Sequence, residues 1–232
     1  MIYKLLFGAM VLLFCAGYGV AQVPNRALTF MEKQMYQTAS TSELGMLYNS
    51  LTTEYDRRYF LLALPGYFAE RKIQSAAPAW VTTAILNGLQ SKDPLCVHNA
   101  AVAAGMLKIN CAPQLMACYK TVHNTFGSHE DMIKTAILGA LAGMDDTNKQ
   151  AFLFGVLTNE HYPLISGTFE ALLSALETVK SPTYVSKLTA YSDTLETLAL
   201  TLGKVKEQEY KVRQCRAVQD RINRLRKMIG GK

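Results

Sequence analysis

The chain has 232 residues, of which half are hydrophobic and only seven are proline. This composition excludes a largely disordered protein and is sufficient for one sizeable core or an elongated array. The formal net charge is +6, but it is unevenly distributed. Residues 204–232 contain 10 basic and 3 acidic residues, whereas residues 22–203 contain 13 basic and 15 acidic residues. The basic character therefore belongs to the C-terminal segment.

The first 21 residues have the pattern of a secretory signal peptide. Lys4 supplies a positive charge, an apolar run extends from Leu5 to Phe14, and Gly19-Val20-Ala21 has the small residues of a cleavage site. Two alternatives remain open, a retained membrane anchor at the short limit of what spans a bilayer and a lipoprotein modified at Cys15. We predict cleavage after residue 21 and export to the periplasm or cell envelope.

Four cysteines follow the predicted signal peptide: Cys96, Cys111, Cys118 and Cys215. Export permits disulfide bonds, but the spacing argues against a disulfide framework. If Cys111 and Cys118 share a helix, they lie about 10 Å apart, which is beyond the reach of a disulfide. We predict that these cysteines act mainly as small buried apolar residues.

Residues 22–41 are predicted to be a linker and an N-terminal helix, and residues 42–180 show helical patterns separated by short polar turns. Pro65-Gly66 predicts an interruption or a bend in an early helix. Further along, Asp93 and Pro94 have the arrangement of an N-cap and a first-turn proline. Because the helix–turn–helix units are about 30 to 40 residues long, internal repeats are expected.

The second helix of each unit has residues at matched offsets of 0, +3, +4 and +7. The sets are Val97, Ala100, Ala101, Ala104; Ile133, Ala136, Ile137, Ala140; Ile165, Thr168, Phe169, Leu172; and a weaker copy, Tyr59, Leu62, Ala63, Gly66. This spacing places each set on one helix face, so we predict that these faces form the core. The specific burial prediction covers Val97, Ala101, Ala104, Ile133, Ile137, Ala140, Ile165, Phe169 and Leu172.

The stretch LQSKDPLCVHNAAVAAGML resembles a HEAT repeat of the short bacterial type. The resemblance implies an all-α fold, an α-solenoid of about four antiparallel helical pairs stacked into a right-handed superhelix. Where that family has an arginine that joins neighbouring repeats, this chain has His98, Lys134 and Ser166. We therefore expect neighbouring units to cohere mainly by apolar packing. An irregular helical bundle is the alternative.

Residues that could support catalysis or metal binding do not form a recognisable motif. His98, His123, His129 and His161 lack the spacing of a metal site. Asp145-Asp146 is not followed by the alternating oxygen ligands of a calcium loop, and helix capping explains it better. The chain contains no GxSxG, P-loop or GxGxxG pattern. We predict a protein that is not an enzyme and that binds no metal or cofactor.

Residues 181–232 are predicted to form a long, basic C-terminal helix that Gly203 interrupts or bends. Apolar residues recur at spacings of three and four, which is typical of a coiled coil. We predict that this helix docks onto an acidic partner or pairs with itself. The alternative is a helix folded back on the array with its basic face in water. The predicted partner-binding residues are Lys211, Arg213, Arg216, Val218, Arg221, Ile222, Arg224 and Leu225.

These patterns favour a non-catalytic scaffold that binds other proteins, because stacked helical pairs present an extended surface. A membrane-surface protein is the first alternative, with the basic helix adsorbed to anionic lipid. An envelope enzyme with an unrecognised site is the second. Nucleic acid is not an expected partner, since the basic segment has only Tyr210 for base stacking.

Overall fold

In a computed structural model of the chain, the described residues are 39–71, 77–159, 166–179, 182–205 and 208–230. Within these ranges the elements are helices and no strand occurs, which confirms the all-α prediction. The predicted signal peptide and nearly all of the predicted linker lie outside the described residues. Cys15, His161 and Ile165 also lie outside them.

The helices follow one another with short connections. In chain order they are α1 (Thr41–Ser50), α2 (Glu54–Glu70), α3 (Ala79–Leu89), α4 (Pro94–Met106), α5 (Ala112–Phe126), α6 (Glu130–Ala142), α7 (Lys149–Asn159), α8 (Gly167–Glu177), α9 (Val185–Leu202) and α10 (Glu209–Gly230). Short 3-10 turns at Gly127–His129 and Pro182–Tyr184 lead into α6 and α9.

Helix α4 begins as its sequence predicts. The carboxylate of Asp93 accepts hydrogen bonds from the backbone N–H groups of Leu95 and Cys96, at 2.8 and 3.3 Å. Pro94 occupies the first turn, where a missing N–H costs nothing. The helix ends at Met106, and Lys108 follows with a φ of 53°, a left-handed conformation that is typical after a helix.

Helix α2 corrects two predictions. The helix runs from Glu54 to Glu70 without interruption at Pro65. Pro65 is buried with the apolar face of the helix, and this packing offsets the hydrogen bond that the proline cannot donate. The predicted core register is also wrong, because Tyr59 is only partly buried and Leu62 is exposed. The buried face lies one position later and contains Phe60, Leu64 and Tyr67.

Helices α2, α4, α6 and α8 pack on one another in chain order. Helix α4 contacts α2 on one side and α6 on the other, and α6 in turn contacts α8. Each of α4, α6 and α8 also contacts the helix that precedes it in the chain. Small residues permit this close packing, since a Cβ atom added at Gly105 of α4 would lie 2.9 Å from the Cα atom of Ala140 in α6.

Burial of the predicted core faces is confirmed for the eight predicted residues that the structure describes. They have at most 4% of their surface exposed: Val97, Ala101, Ala104, Ile133, Ile137, Ala140, Phe169 and Leu172. The matched offsets therefore identified the faces of α4, α6 and α8 that point into the core.

The C-terminal segment is a helical hairpin, which corrects the prediction of one long helix. Helix α9 ends at Leu202, Gly203 provides its C-cap, and α10 begins at Glu209 and packs along α9. The apolar stripe of α10 is buried within the hairpin and against the array: Cys215, Val218, Ile222, Leu225 and Ile229. The apolar stripe is therefore placed as in the alternative prediction, in which the basic helix folds back on its own chain.

A pair of stacked rings joins the base of the hairpin to α7. The rings of Tyr184, just before α9, and Phe154, in α7, stack with centroids 4.1 Å apart. No helix in the described part of the chain combines the length and the apolar character needed to cross a bilayer.

Candidate functional site

The outer face of α2 carries an aromatic and cationic cluster. Tyr55, Arg58, Tyr59 and Leu62 lie at offsets of 0, +3, +4 and +7, so they share one face of the helix. Tyr55 is 42% exposed and Leu62 is 40% exposed. We call these four residues the α2 outer face. They lie opposite the buried face formed by Phe60 and its neighbours.

Arg58 organises this cluster. The central carbon of its guanidinium lies 4.1 Å from the ring centroid of Tyr55 and 4.9 Å from that of Tyr59. One terminal nitrogen donates a hydrogen bond to the Tyr59 hydroxyl at 3.3 Å, and the other forms an ion pair with Asp93 at 3.4 Å. A cation held over two rings and beside a carboxylate has its direction fixed, which reduces the entropy lost when it binds a ligand.

Polar groups of α4 support Arg58 from behind. The side-chain amide of Asn99 donates a hydrogen bond of 2.8 Å to the backbone carbonyl of Arg58. Its carbonyl oxygen lies 3.0 Å from Nδ1 of His98. Burial lowers the pKa of His98, while the contact with Asn99 opposes this shift. The neutral imidazole is therefore favoured in the folded protein.

The α2 outer face combines aromatic, aliphatic and cationic side chains. Tyrosine and arginine are enriched at protein–protein contacts, because they combine a large contact area with directed polar groups. The cluster contains hydroxyl, guanidinium and carboxylate groups, but no nucleophile paired with a base. The spacing of apolar residues predicted Tyr59 and Leu62 to be core residues, which they are not. The signal that could have located the face was Arg58 between two tyrosines at helical spacing.

The other histidines of the described part of the chain lie apart from this cluster. Nδ1 of His123 lies 2.7 Å from a carboxylate oxygen of Glu130, whose other oxygen contacts Nζ of Lys134 at 2.9 Å. Lys134 also lies over the Tyr119 ring. Among the described residues, no three His, Cys, Asp or Glu side chains are placed to share a metal ion.

The predicted capping role of the Asp145-Asp146 pair is confirmed for Asp146. The carboxylate of Asp146 accepts hydrogen bonds from the backbone N–H groups of Asn148 and Lys149, at 2.7 and 3.2 Å. The Lys149 ammonium turns inward and donates to the carbonyl of Met144. Burial lowers the pKa of Lys149, although the two nearby aspartates oppose that effect.

The predicted partner-binding residues of α10 separate into two groups. Lys211, Arg213, Arg216 and Arg224 are exposed, so they are accessible to a partner. Three apolar residues of the prediction are instead buried inside the chain: Val218, Ile222 and Leu225. The apolar seam that we predicted for a coiled coil is therefore occupied by α9 in the same molecule.

Arg221, the remaining predicted partner-binding residue, holds α10 against α8. Its guanidinium pairs with Glu177 at 2.8 Å and with Glu170, and it donates a hydrogen bond of 3.1 Å to the Ser174 hydroxyl. The guanidinium thus joins three side chains of one helix face. This arrangement assigns Arg221 to the attachment of the hairpin rather than to a free surface.

The cysteines of the described residues are buried and unpaired, which confirms their prediction as small apolar residues. Burial raises the pKa of the Cys96, Cys111 and Cys118 thiols to about 11. The pKa of Cys215 is also raised by burial. These thiols are therefore poor nucleophiles at neutral pH.

Comparison with known proteins gives no assignment. No protein-family model matches the chain, and no curated protein or solved structure matches it.

Proposed function

We propose that this protein is a non-catalytic scaffold that binds another protein, built as a short HEAT-like solenoid of four helical pairs. The pairs are α1–α2, α3–α4, α5–α6 and α7–α8, and the α9–α10 hairpin covers the last pair. The observation that carries the proposal is the order of contacts, in which α2, α4, α6 and α8 each pack on the next. A solenoid has this nearest-neighbour pattern, and its extended surface suits protein binding.

Polar contacts between neighbouring pairs give further support. Arg58 of α2 pairs with Asp93 at the start of α4, at 3.4 Å. Between α6 and α8, the Thr168 hydroxyl donates to the carbonyl of Asp131 at 3.1 Å and lies 3.1 Å from the Thr135 hydroxyl. These contacts occur where a HEAT array has inter-repeat links. They use different residues from the arginine position that is occupied here by His98, Lys134 and Ser166.

The binding surface that we propose for the protein partner is the α2 outer face. Tyr55 and Leu62 offer exposed apolar area, and Arg58 offers an oriented cation between them. Such a group matches the centre of a protein interface, where a few aromatic and arginine side chains supply most of the binding energy. We place the scaffold in the bacterial periplasm or cell envelope, on the basis of the signal-peptide pattern in residues 1–21.

The test is chemical cross-linking in cells, followed by identification of the partner. The full chain is compared with the double variant Tyr55→Ser/Leu62→Ser. We expect one specific cross-linked partner with the wild type and at least a tenfold loss of that species in the double variant, as removal of two interface anchors implies.

Met46→Ser is the matched control, because Met46 of α1 is 65% exposed and lies outside the α2 outer face. The control should retain the cross-linked species, and both variants should keep the melting temperature of the wild type. Full retention of the partner by the double variant would refute this binding surface. Absence of any specific protein partner would refute the scaffold function itself.

A further inference from the structure

The end of the hairpin that is remote from the array has an unusual surface. We define the hairpin tip as residues 198–205 and 208–216, which are the end of α9 with the three residues after it and the first two turns of α10 with the residue before it. Four large apolar side chains are exposed in this segment, with Leu198 40%, Leu200 64%, Val205 51% and Tyr210 62% exposed. Elsewhere in the described residues such side chains are single, apart from Tyr55 and Leu62 on the α2 outer face. Exposed apolar side chains gathered in one segment make it a candidate contact site.

The hairpin tip is also basic. Lys204, Arg213 and Arg216 line a shallow cleft between the turn and the first turns of α10, and Glu209 supplies the acidic group of that lining. No carboxylate in the described part of the chain forms an ion pair with these three cations. In this they differ from Arg221, which is paired twice with α8. With respect to the described residues, these three cations are therefore available to bind an anion.

The position of the tip follows from where the hairpin is attached. The contacts of Arg221 with α8 fix the middle of α10, and the large apolar core extends only as far as Leu195 and Val218 along the hairpin. Tyr210 is 11 residues before Arg221, so it lies about 16 Å further along the helix axis. The tip therefore extends beyond the contacts that hold the hairpin to the array.

We propose that the hairpin tip binds the surface of an anionic lipid bilayer. Lys204, Arg213 and Arg216 bind headgroup phosphates, and the side chains of Leu200, Val205 and Tyr210 enter the interfacial layer. Aliphatic side chains among cations match the layered chemistry of a bilayer surface, and tyrosine favours the headgroup level. Each basic residue near an anionic surface contributes about 1 kcal/mol, so salt should weaken the binding.

Two other partners fit the tip less well. Single-stranded nucleic acid requires several aromatic side chains for stacking, and Tyr210 is the one aromatic residue among those described at the tip. A stable protein interface buries about 800 Å² on each partner. Two helix ends, each about 10 Å wide, present roughly 200 Å², so the tip is small for that purpose. A bilayer needs no large complementary surface.

The test is tryptophan fluorescence of the full chain with vesicles. Tyr210→Trp places the reporter at the tip, and Met228→Trp places it at the other end of α10, where Met228 is 61% exposed. Both variants retain Trp80. The emission spectrum of the wild type is therefore subtracted from that of each variant, which leaves the emission of the introduced tryptophan. The vesicles contain phosphatidylcholine alone or with about 30% phosphatidylglycerol. We expect a salt-sensitive blue shift for Tyr210→Trp with the anionic vesicles and none for Met228→Trp.

Charge variants in the Tyr210→Trp background test the specificity. Arg213→Gln/Arg216→Gln should raise the lipid concentration that gives half of the maximal emission shift by about 30-fold. This factor corresponds to the loss of two binding contributions of about 1 kcal/mol each. Arg224→Gln/Lys227→Gln removes the same charge further along α10 and should change this concentration by no more than about twofold. The apolar segment from Leu5 to Ala21 is present in every variant, and any contribution it makes to lipid binding is the same in all of them. The readout is therefore the emission shift of the introduced tryptophan, which reports on its own position, rather than total binding.

Three results would overturn the proposal. A shift of Met228→Trp in place of Tyr210→Trp would assign membrane contact to the other end of α10. Equal effects of the two charge variants would indicate general attraction of a basic helix. Absence of a shift at either position with anionic vesicles would exclude a membrane role of the tip and leave an acidic protein as its partner.

Discussion

Arg58 and Asp93 form an ion pair that joins α2 to the start of α4. The charged atoms lie 3.4 Å apart, and the two side chains are 19% and 17% exposed. Asp93 also caps α4, so a single carboxylate fixes both the start of α4 and the direction of the Arg58 guanidinium. The α2 outer face is therefore oriented by the same residue that begins the next helix.

Substitution of Asp93 should separate its two roles. Asp93→Asn retains a good N-cap and loses the ion pair, so the free energy of unfolding should fall by less than about 1 kcal/mol. Asp93→Ala loses both, and we expect a further loss of about 0.5 to 2 kcal/mol. Urea denaturation measures the difference. Equal stability of the two variants would show that Asp93 does not act as a cap in solution.

Two glycines on neighbouring helices should respond in opposite directions to the same substitution. Gly105→Ala would place a Cβ atom 2.9 Å from the Cα atom of Ala140, so α4 and α6 must separate, at a cost of about 1 to 3 kcal/mol. Gly139 is exposed in α6, and a Cβ atom there meets no atom within 4 Å.

Gly139→Ala should therefore stabilise the protein by about 0.5 to 1 kcal/mol, because alanine has the higher helix propensity. Thermal and urea unfolding of the two variants provide the measurement. If Gly105→Ala were as stable as Gly139→Ala, the close approach of α4 and α6 would not exist in solution.

The buried thiols should be protected from modification. With pKa values of about 11, Cys96, Cys111 and Cys118 have little thiolate at about pH 8, and burial also excludes the reagent. In a Cys15→Ser background we expect no rapid reaction of the folded protein with Ellman's reagent, and reaction of all four remaining thiols in denaturant. A thiol that reacts rapidly before unfolding would identify a cysteine that the fold leaves open.

His98 should make stability depend on pH. Its pKa is lowered in the folded state, mainly by burial, from an ordinary value near 6.5. The unfolded chain therefore binds a proton more readily than the folded protein does. The stability that His98 contributes is present above about pH 6.5 and is lost as the pH falls through the pKa of the folded state. The free-energy difference between wild type and His98→Gln should shrink from about pH 7.5 to about pH 5. Parallel stability curves for the two proteins would contradict this assignment.

The sequence predicted the helices and most of the core faces because burial repeats with the helical period. It failed at α2, where large apolar residues occur on two faces. Phe60, Leu64 and Tyr67 are buried, while Tyr59 and Leu62 lie on the other side. When a helix is apolar nearly all round, spacing alone does not identify the inward face. Tertiary contacts decide it, and the α2 outer face was missed for that reason.

The C-terminal segment shows a second limit of sequence patterns. Apolar spacing of three and four residues continues on both sides of Gly203, so it predicted one helix. The same spacing is expected of two helices that pair with each other, because each needs an apolar stripe. Local periodicity therefore predicted the stripe of α10 but left open whether it meets another molecule or its own chain. In the structure α10, which begins at Glu209, packs along α9.

Adjacent residues of α10 provide the test of this placement. Ile222 has no exposed surface, whereas Arg224 is exposed two positions later. Ile222→Asp would bury a carboxylate without a partner between α10 and α9, and we expect the free energy of unfolding to fall by more than about 3 kcal/mol. Arg224→Asp changes the charge even more strongly but stays in water, so its effect on stability should remain within about 0.5 kcal/mol. Urea denaturation measures both variants. An Ile222→Asp protein of unchanged stability that no longer self-associates or binds its partner would contradict this placement. Ile222 would then have to face another molecule, and the apolar stripe of α10 would be an intermolecular contact.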